Sequence, residues 1–333
     1  MKRFLPYLKL LVSVSLIGFL VYKLQESNWP SIISMLDWKT YSLLVLGYLL
    51  TQVFSTWRWK VLCDSVGFKD RFNPMFADYM VGSFYNLFLP TSVGGDIGRA
   101  YRIAKRQGQH YLTAVLTTIA ERMAGFAVII AAGLLGLLVT RPEHWVGIAL
   151  VSISILCVAM LGLYGFTLSE KLPVLGPILQ KKILKIQAES PSHQIETEHL
   201  RLGIWATKTA VNASLAISLI VQTINILLQV ALLHMLGLGH LSVWLVASIY
   251  SVTSVISMVP LSLSGIGLRE GSTVALLISW GHAPANVATT FSLAWLGLIL
   301  LSSIPGACIT LYESIQSKTS ALKRAHTTFE LKG

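Results

Sequence analysis

The sequence predicts an all-α polytopic membrane protein with six transmembrane spans and two re-entrant helical hairpins, arranged as an inverted-topology repeat. Three observations predict it. Of the 333 residues, 54% are hydrophobic and only 12% charged, and the mean hydropathy is +0.66, far outside soluble composition. The basic residues fall in short clusters between apolar runs, the pattern that orients membrane helices. A break rich in proline, glycine and arginine at 88–101 returns in altered form at 258–271.

Apolar runs able to cross roughly 30 Å of hydrocarbon, at about 1.5 Å per residue, lie near 5–22, 40–59, 112–139, 145–168, 210–236 and 287–312,. The first resembles a signal peptide but has no A-x-A-like cleavage site after it, so it reads as an uncleaved span. All but six of the 26 basic residues sit in five segments: the N-terminus, 58–73, 101–110, 169–208 and the tail after 313. These segments read as cytoplasmic, which places both termini inside the cell.

The stretch 75–98 has basic segments on both sides, so it enters and leaves the membrane by the cytoplasmic face. The stretch 242–280 is flanked by 237–241 and 281–286, which hold no Lys or Arg, and enters from outside. The order is span, span, hairpin 75–105, span within 1–139, then the same order within 145–312 with hairpin 242–280 and opposite orientation. The loop 169–208 holds a basic amphipathic stretch at 172–188 that suits the inner leaflet,. The tail 313–333 reads as solvated loop on the cytoplasmic side.

The two breaks align without a gap: Pro90, Ser92, Gly95 and Arg99 fall on Pro260, Ser262, Gly265 and Arg269. A helix from Met75 to Pro90 rises roughly 22 Å, past the bilayer centre. The prolines end the ascending half-helices, and Gly94, Gly95, Gly265 and Gly267 allow the turn. Irregular backbone at that depth needs protein or a polar cavity around it, so the two tips are expected to share one cavity. New helices starting near Asp96 and Ile266 would aim unpaired N–H groups into it, an anion site to which Arg99 and Arg269 add bidentate donors. Within this pattern Arg99 and Arg269 are equivalent, so substituting either one is expected to give a similar defect.

The candidate substrate-binding residues are therefore Pro90, Ser92, Gly94, Gly95, Asp96, Arg99, Ser262, Gly265, Arg269 and Glu270. Glu121 and Arg122 lie about nine residues into the following span, where charges need an interior partner,. Either Glu121 pairs structurally with Arg99 or Arg122, or it serves in charge balance, gating or proton coupling. Asp96 and Glu270 either cap a helix start or neutralise the neighbouring arginine. Asp78 reads as a solvated or paired surface charge near the cytoplasmic mouth.

Other chemistry is thinly represented. The net charge of +11 does not mark a nucleic-acid binder, because the basic residues form no soluble face,. Cys63, Cys157 and Cys308 are too scattered for a disulfide framework,. His193, Glu196, Glu198 and His199 sit in a soluble loop with nothing to fix a metal geometry. Trp29, Trp38, Trp57, Trp59 and Trp145 suit an aromatic belt at span ends. No GxSxG, Walker A or dinucleotide fingerprint occurs. No cofactor and no metal are expected.

At 84–106, with P-x-S-x-G-G-D-x-x-R at Pro90 to Arg99, E-R-x-x-G at Glu121 to Gly125 and the late Pro-x-Ser-x-Ser-Gly-x-Gly-x-Arg-Glu run, the sequence resembles the lysylphosphatidylglycerol synthase transmembrane-region family. That family includes the flippase half of the multiple peptide resistance factor and stand-alone bacterial membrane proteins. The resemblance implies a bacterial inner-membrane protein with re-entrant helices that moves a phospholipid or lipid-linked headgroup between leaflets. No aminoacyl-transferase domain follows residue 313, so lysyl transfer is not expected from this chain alone. Membrane lipids are the expected ligand, with a second copy of the chain or a lipid-modifying enzyme as further partner. The alternatives are an enzyme on a lipid-linked substrate with Asp96 or Glu121 as base, and a non-transporting partner subunit.

Overall fold

The computed structural model describes residues 36–88, 94–109, 111–169, 207–259 and 262–330, together with Gly18 and Tyr22. Regular structure among the described residues is helical throughout: α1 Trp38–Ser65, α2 Phe72–Phe88, α3 Gly94–Gln107, α4 Tyr111–Thr140, α5 Trp145–Ser169, α6 Lys208–Met235, α7 Val243–Ser257, α8 Leu268–Ser279 and α9 Ala285–Glu330, with a 3₁₀ turn Leu263–Gly265 before α8. The chain is an all-α membrane protein. Tyr111–Thr140, Trp145–Tyr164, Lys208–Met235 and Ala285–Gln316 are long and apolar enough to cross a bilayer. The expected span at 5–22 lies outside the described residues but for its positions 18 and 22, as do the amphipathic stretch 172–188 and the loop histidines.

Helix α1 is as long as a span, with 28 residues, but carries Arg58, Lys60 and Asp64 in its last two turns. The four helices around the breaks are shorter: 17 and 14 residues for α2 and α3, 15 and 12 for α7 and α8. None reaches the about 20 residues that a crossing helix needs. Helix α7 ends at Ser257, just short of Pro260 in the sequence, as fits a residue before a proline being driven out of the helical region; α2 is described as far as Phe88.

The shift in numbering that lays Pro90 on Pro260 also carries α1 onto α6 end for end. The N-caps coincide: Asp37 accepts from the N–H groups of Lys39 and Thr40, and Thr207 from that of Ala210,. The C-terminal ends coincide as well. The Phe68 N–H reaches the Cys63 carbonyl at 3.0 Å and the Leu238 N–H the Leu233 carbonyl at 2.9 Å, each past a glycine in the left-handed region, Gly67 and Gly237,. The inward face keeps register too, since Tyr41 and Val211, Thr51 and Val221, Ser55 and Asn225, and Trp59 and Gln229 are all buried.

Helix packing follows the same shift. Helix α1 lies along α6, α2 against α9 and α7 against α4, α3 against α4 and α8 against α9, with α2 on α3 and α7 on α8. Exchanging each helix for its counterpart maps these contacts onto one another. Close approach is made by glycine: a Cβ on Gly136 of α4 would strike the Trp244 carbonyl of α7, and one on Gly306 of α9 the Met80 carbonyl of α2,. One apolar cluster, with Trp59, Phe68, Met75 and Ile103, supports the first break; another, with Leu238, Leu245, Leu277 and Phe291, supports the second.

One expectation fails at the C-terminus. The tail after 313 does not leave the membrane core as loop; α9 runs on to Glu330. Between Gly306 and Gly333 the sequence has neither glycine nor proline, so nothing interrupts the backbone ladder.

Candidate functional site

The two breaks meet. Ser264, in the second, donates its hydroxyl to the Asn86 carbonyl at the end of α2. The side chain of Asn86 reads the first break: its Oδ1 accepts from the Gly95 N–H at 2.8 Å and its Nδ2 donates to Asp96 Oδ1 at 3.2 Å. At Gly95 α3 passes so close to α2 that a Cβ there would run into the Gly82 carbonyl. At the second break Gly265 sits in the left-handed region, φ 76°, against the Ser257 carbonyl,.

Between the breaks lies a cavity of about 390 Å³. Its walls come from α1, α2, α3, α4, α6, α7, α8 and α9, and they include both Arg99 and Arg269. Asp96, Glu121, Arg122, Arg58, Tyr79, Asn86, Tyr250 and Trp295 line it as well.

On the first-break side the charges alternate. Glu121, 1% exposed, receives Arg58 Nη2 on Oε1, with Arg58 Nε 3.2 Å away, and Arg99 Nη2 on Oε2. Tyr79 donates its hydroxyl to the same Oε1 at 3.2 Å. Arg99 Nη2 lies 3.2 Å from Asp96 Oδ1, and Asp96 Oδ2 receives Arg122 Nε. The Arg99 guanidinium is covered by the Trp59 and Tyr79 rings, 4.7 and 4.4 Å from their centroids,. On the second-break side, Arg269 Nε and Nη2 donate to Glu270 Oε1 at 2.9 and 2.5 Å. Glu270 Oε2 accepts from the Gly267 N–H at 2.6 Å and so closes the start of α8,.

Of the residues singled out in sequence, Gly94, Gly95, Asp96, Arg99, Ser262, Gly265, Arg269, Glu270, Glu121 and Arg122 are described, and Asp96, Arg99, Glu121, Arg122 and Arg269 line the one cavity. Ser262 is buried and does not line it. Pro90 and Ser92 lie outside the described residues. Asp78 is paired, as one alternative had it, with Arg102 and Arg106, but it is fully buried rather than at the surface. Sequence reasoning missed Arg58, Tyr79 and Asn86. Arg58 counts toward a cytoplasmic basic segment in chain order, yet it is buried against Glu121 and donates Nη1 to Ser218 at 3.0 Å. Its signal is helical: Tyr48, Thr51, Gln52, Ser55 and Arg58 recur every three or four residues as a polar stripe along α1,. Among the described residues no three His, Cys, Asp or Glu side chains gather as a metal site needs.

The class is thus a helical membrane protein with two helix breaks that border one cavity lined by Arg58, Arg99, Arg122 and Arg269. The profile of the lysylphosphatidylglycerol synthase TM region matches residues 7–306, and the chain belongs to that family. A comparison with curated proteins finds no match.

Proposed function

We propose that the chain is a flippase-like lipid transporter, moving an anionic phospholipid or lipid-linked headgroup between leaflets of a bacterial inner membrane without ATP hydrolysis. The observation that carries this reading is that Arg99 and Arg269, from two breaks far apart in the chain, line one polar cavity. In this reading there are six spans, and α2 with α3 and α7 with α8 are re-entrant hairpins entering from opposite faces. Residues 1–139 and 145–312 are inverted repeats that rock around the cavity, and both termini are cytoplasmic. The coincidence of caps, buried faces and helix contacts under one shift supports the repeat.

The headgroup site comprises Pro90, Ser92, Gly94, Gly95, Asp96 and Arg99 from the first break and Ser262, Gly265, Arg269 and Glu270 from the second, with Glu121 and Arg122 setting its charge. The experiment is reconstitution in liposomes with fluorescent phospholipids and polyprenyl phosphates, following their movement between leaflets. The chain should accelerate transfer of at least one anionic lipid, and Arg99→Ala and Arg269→Ala should each slow it by about tenfold or more, the loss expected for a charge-assisted contact. Wild-type transfer rates in both variants would end this reading.

A further inference from the structure

We propose that the protein binds a single water molecule behind Arg269, in a compartment separate from the larger cavity, at the place where the first half of the chain holds an indole. The compartment measures about 10 Å³, enough for one water and too little for a larger guest. Gln229, Thr253, Thr273, Phe291 and Ser292 line it and do not line the larger cavity, while Arg269 and Trp295 belong to both walls.

The repeat explains why the space exists. Under the shift that lays Pro90 on Pro260, Arg269 answers to Arg99 and Gln229 to Trp59. In the first half the fully buried Trp59 ring covers the Arg99 guanidinium, 4.7 Å from its centroid. In the second half a side chain far smaller than an indole stands at that position, and the compartment lies between it and Arg269. Enclosed spaces that stay dry in proteins are apolar, and this one is not.

Its wall can both donate and accept. Gln229 is 4% exposed, and its Nε2 is buried with no acceptor among the described residues, a state that native structures rarely leave uncompensated. Thr253, Thr273 and Ser292 donate their hydroxyls to the carbonyls of Tyr250, Arg269 and Glu270 at 3.1, 2.7 and 3.1 Å, so each oxygen keeps lone pairs to offer. A guest that accepts from Gln229 and donates to two of the three hydroxyl oxygens satisfies the set, and water does both.

Charge excludes the ions of similar size. A cation would meet the Gln229 N–H and the Arg269 guanidinium, and the carboxylate beside it is already committed: Glu270 Oε1 accepts from Arg269 and Oε2 from the Gly267 N–H. An anion would meet three hydroxyl oxygens whose protons point elsewhere. The neutral guest is the one that leaves no group of the wall opposed.

The test is hydroxyl-radical footprinting by X-ray radiolysis of the purified full chain in detergent, read by mass spectrometry. Phe291 reports on the compartment, because it is 1% exposed and lies outside the larger cavity. We expect Phe291 to be oxidised in the wild type, and Gln229→Leu to lower that oxidation at least about fivefold while Trp295, which also faces the larger cavity, changes by less than about twofold. Gln229→Trp, which returns the indole of the first half, should act in the same way, and thermal melting of both variants within a few degrees of wild type separates lost water from lost fold. Phe291 left unmodified in the wild type, a measurement that needs no variant, overturns the proposal, and so does oxidation undiminished in both folded variants. A second arm compares melting of wild type and Gln229→Leu in sodium chloride and in choline chloride at equal ionic strength. No sodium-specific shift is expected; a shift present in the wild type and abolished by Gln229→Leu makes the guest a cation and overturns the water.

Discussion

Glu121 is the residue on which the cavity wall depends, because it is the anion between two buried cations. Replacing it by glutamine leaves the Arg58 and Arg99 guanidiniums with Asp96 as the nearest carboxylate of the chain. Breaking a buried pair from one side costs about 3–5 kcal/mol, so Glu121→Gln should melt well below wild type in detergent. Adding Arg58→Met should recover part of the loss by removing one of the stranded cations; a double variant as unstable as the single one would show that the pairing is not what Glu121 contributes. An interior partner for Glu121 was legible in the sequence, since a carboxylate at that depth demands one. One of the two partners the sequence offered, Arg99, is indeed there; the second cation, Arg58, was not legible, because Arg58 and Glu121 are 63 residues apart and only the turn of α1 brings the arginine inward.

Between elements, the two halves part company in how their hairpins are tied to the core. In the first, Arg102 of α3 holds the Asp78 carboxylate of α2 and donates Nη1 and Nη2 to Glu313 of α9 at 2.7 and 2.6 Å. Arg106 adds Asp78 at 2.7 Å and Asp70 at 2.6 Å. Under the repeat shift Asp78, Arg102 and Arg106 fall on Ser248, Ser272 and Leu276, so the second hairpin has no such clamp. The clamp exists because α9 stays helical past Glu313, the feature that composition alone suggested was loop. Its two carboxylates should respond differently. Glu313 is 43% exposed, so Glu313→Gln should change stability by less than about 1 kcal/mol. Asp78 is fully buried between two arginines, and Asp78→Asn should cost about 3 kcal/mol or more. Chemical denaturation of the two variants compares them directly, and equal losses would mean that burial does not set the strength of this network.

Across the whole molecule, the repeat was visible in sequence only where backbone geometry restricts the residue. At the breaks both halves carry a proline in sequence, and glycines make a turn or a close approach, so the motif persists from one half of the chain to the other. In the helices any side chain of suitable size fills an inward position, which is why Trp59 answers to Gln229 and Thr51 to Val221 without visible likeness. The register becomes apparent only through the caps, where the same hydrogen bonds close past Gly67 and Gly237. Arg99 and Arg269 apart, the cavity's charges do not obey it: Glu121 falls on Phe291 and Arg58 on Leu228, so the asymmetry of the cavity was bound to escape a symmetric reading. Orientation of the halves is the remaining step, and those caps supply its test. Lys69 and His240 are exposed just past the equivalent ends of α1 and α6. In a chain with Cys157 and Cys308 replaced by serine and buried Cys63 retained, Lys69→Cys should react with a membrane-impermeant maleimide only from the cytoplasmic side, and His240→Cys only from the outer side. Labelling of both from one side would leave the register between the halves standing but make the repeat parallel, and a cavity between parallel halves has no reason to open alternately to the two leaflets.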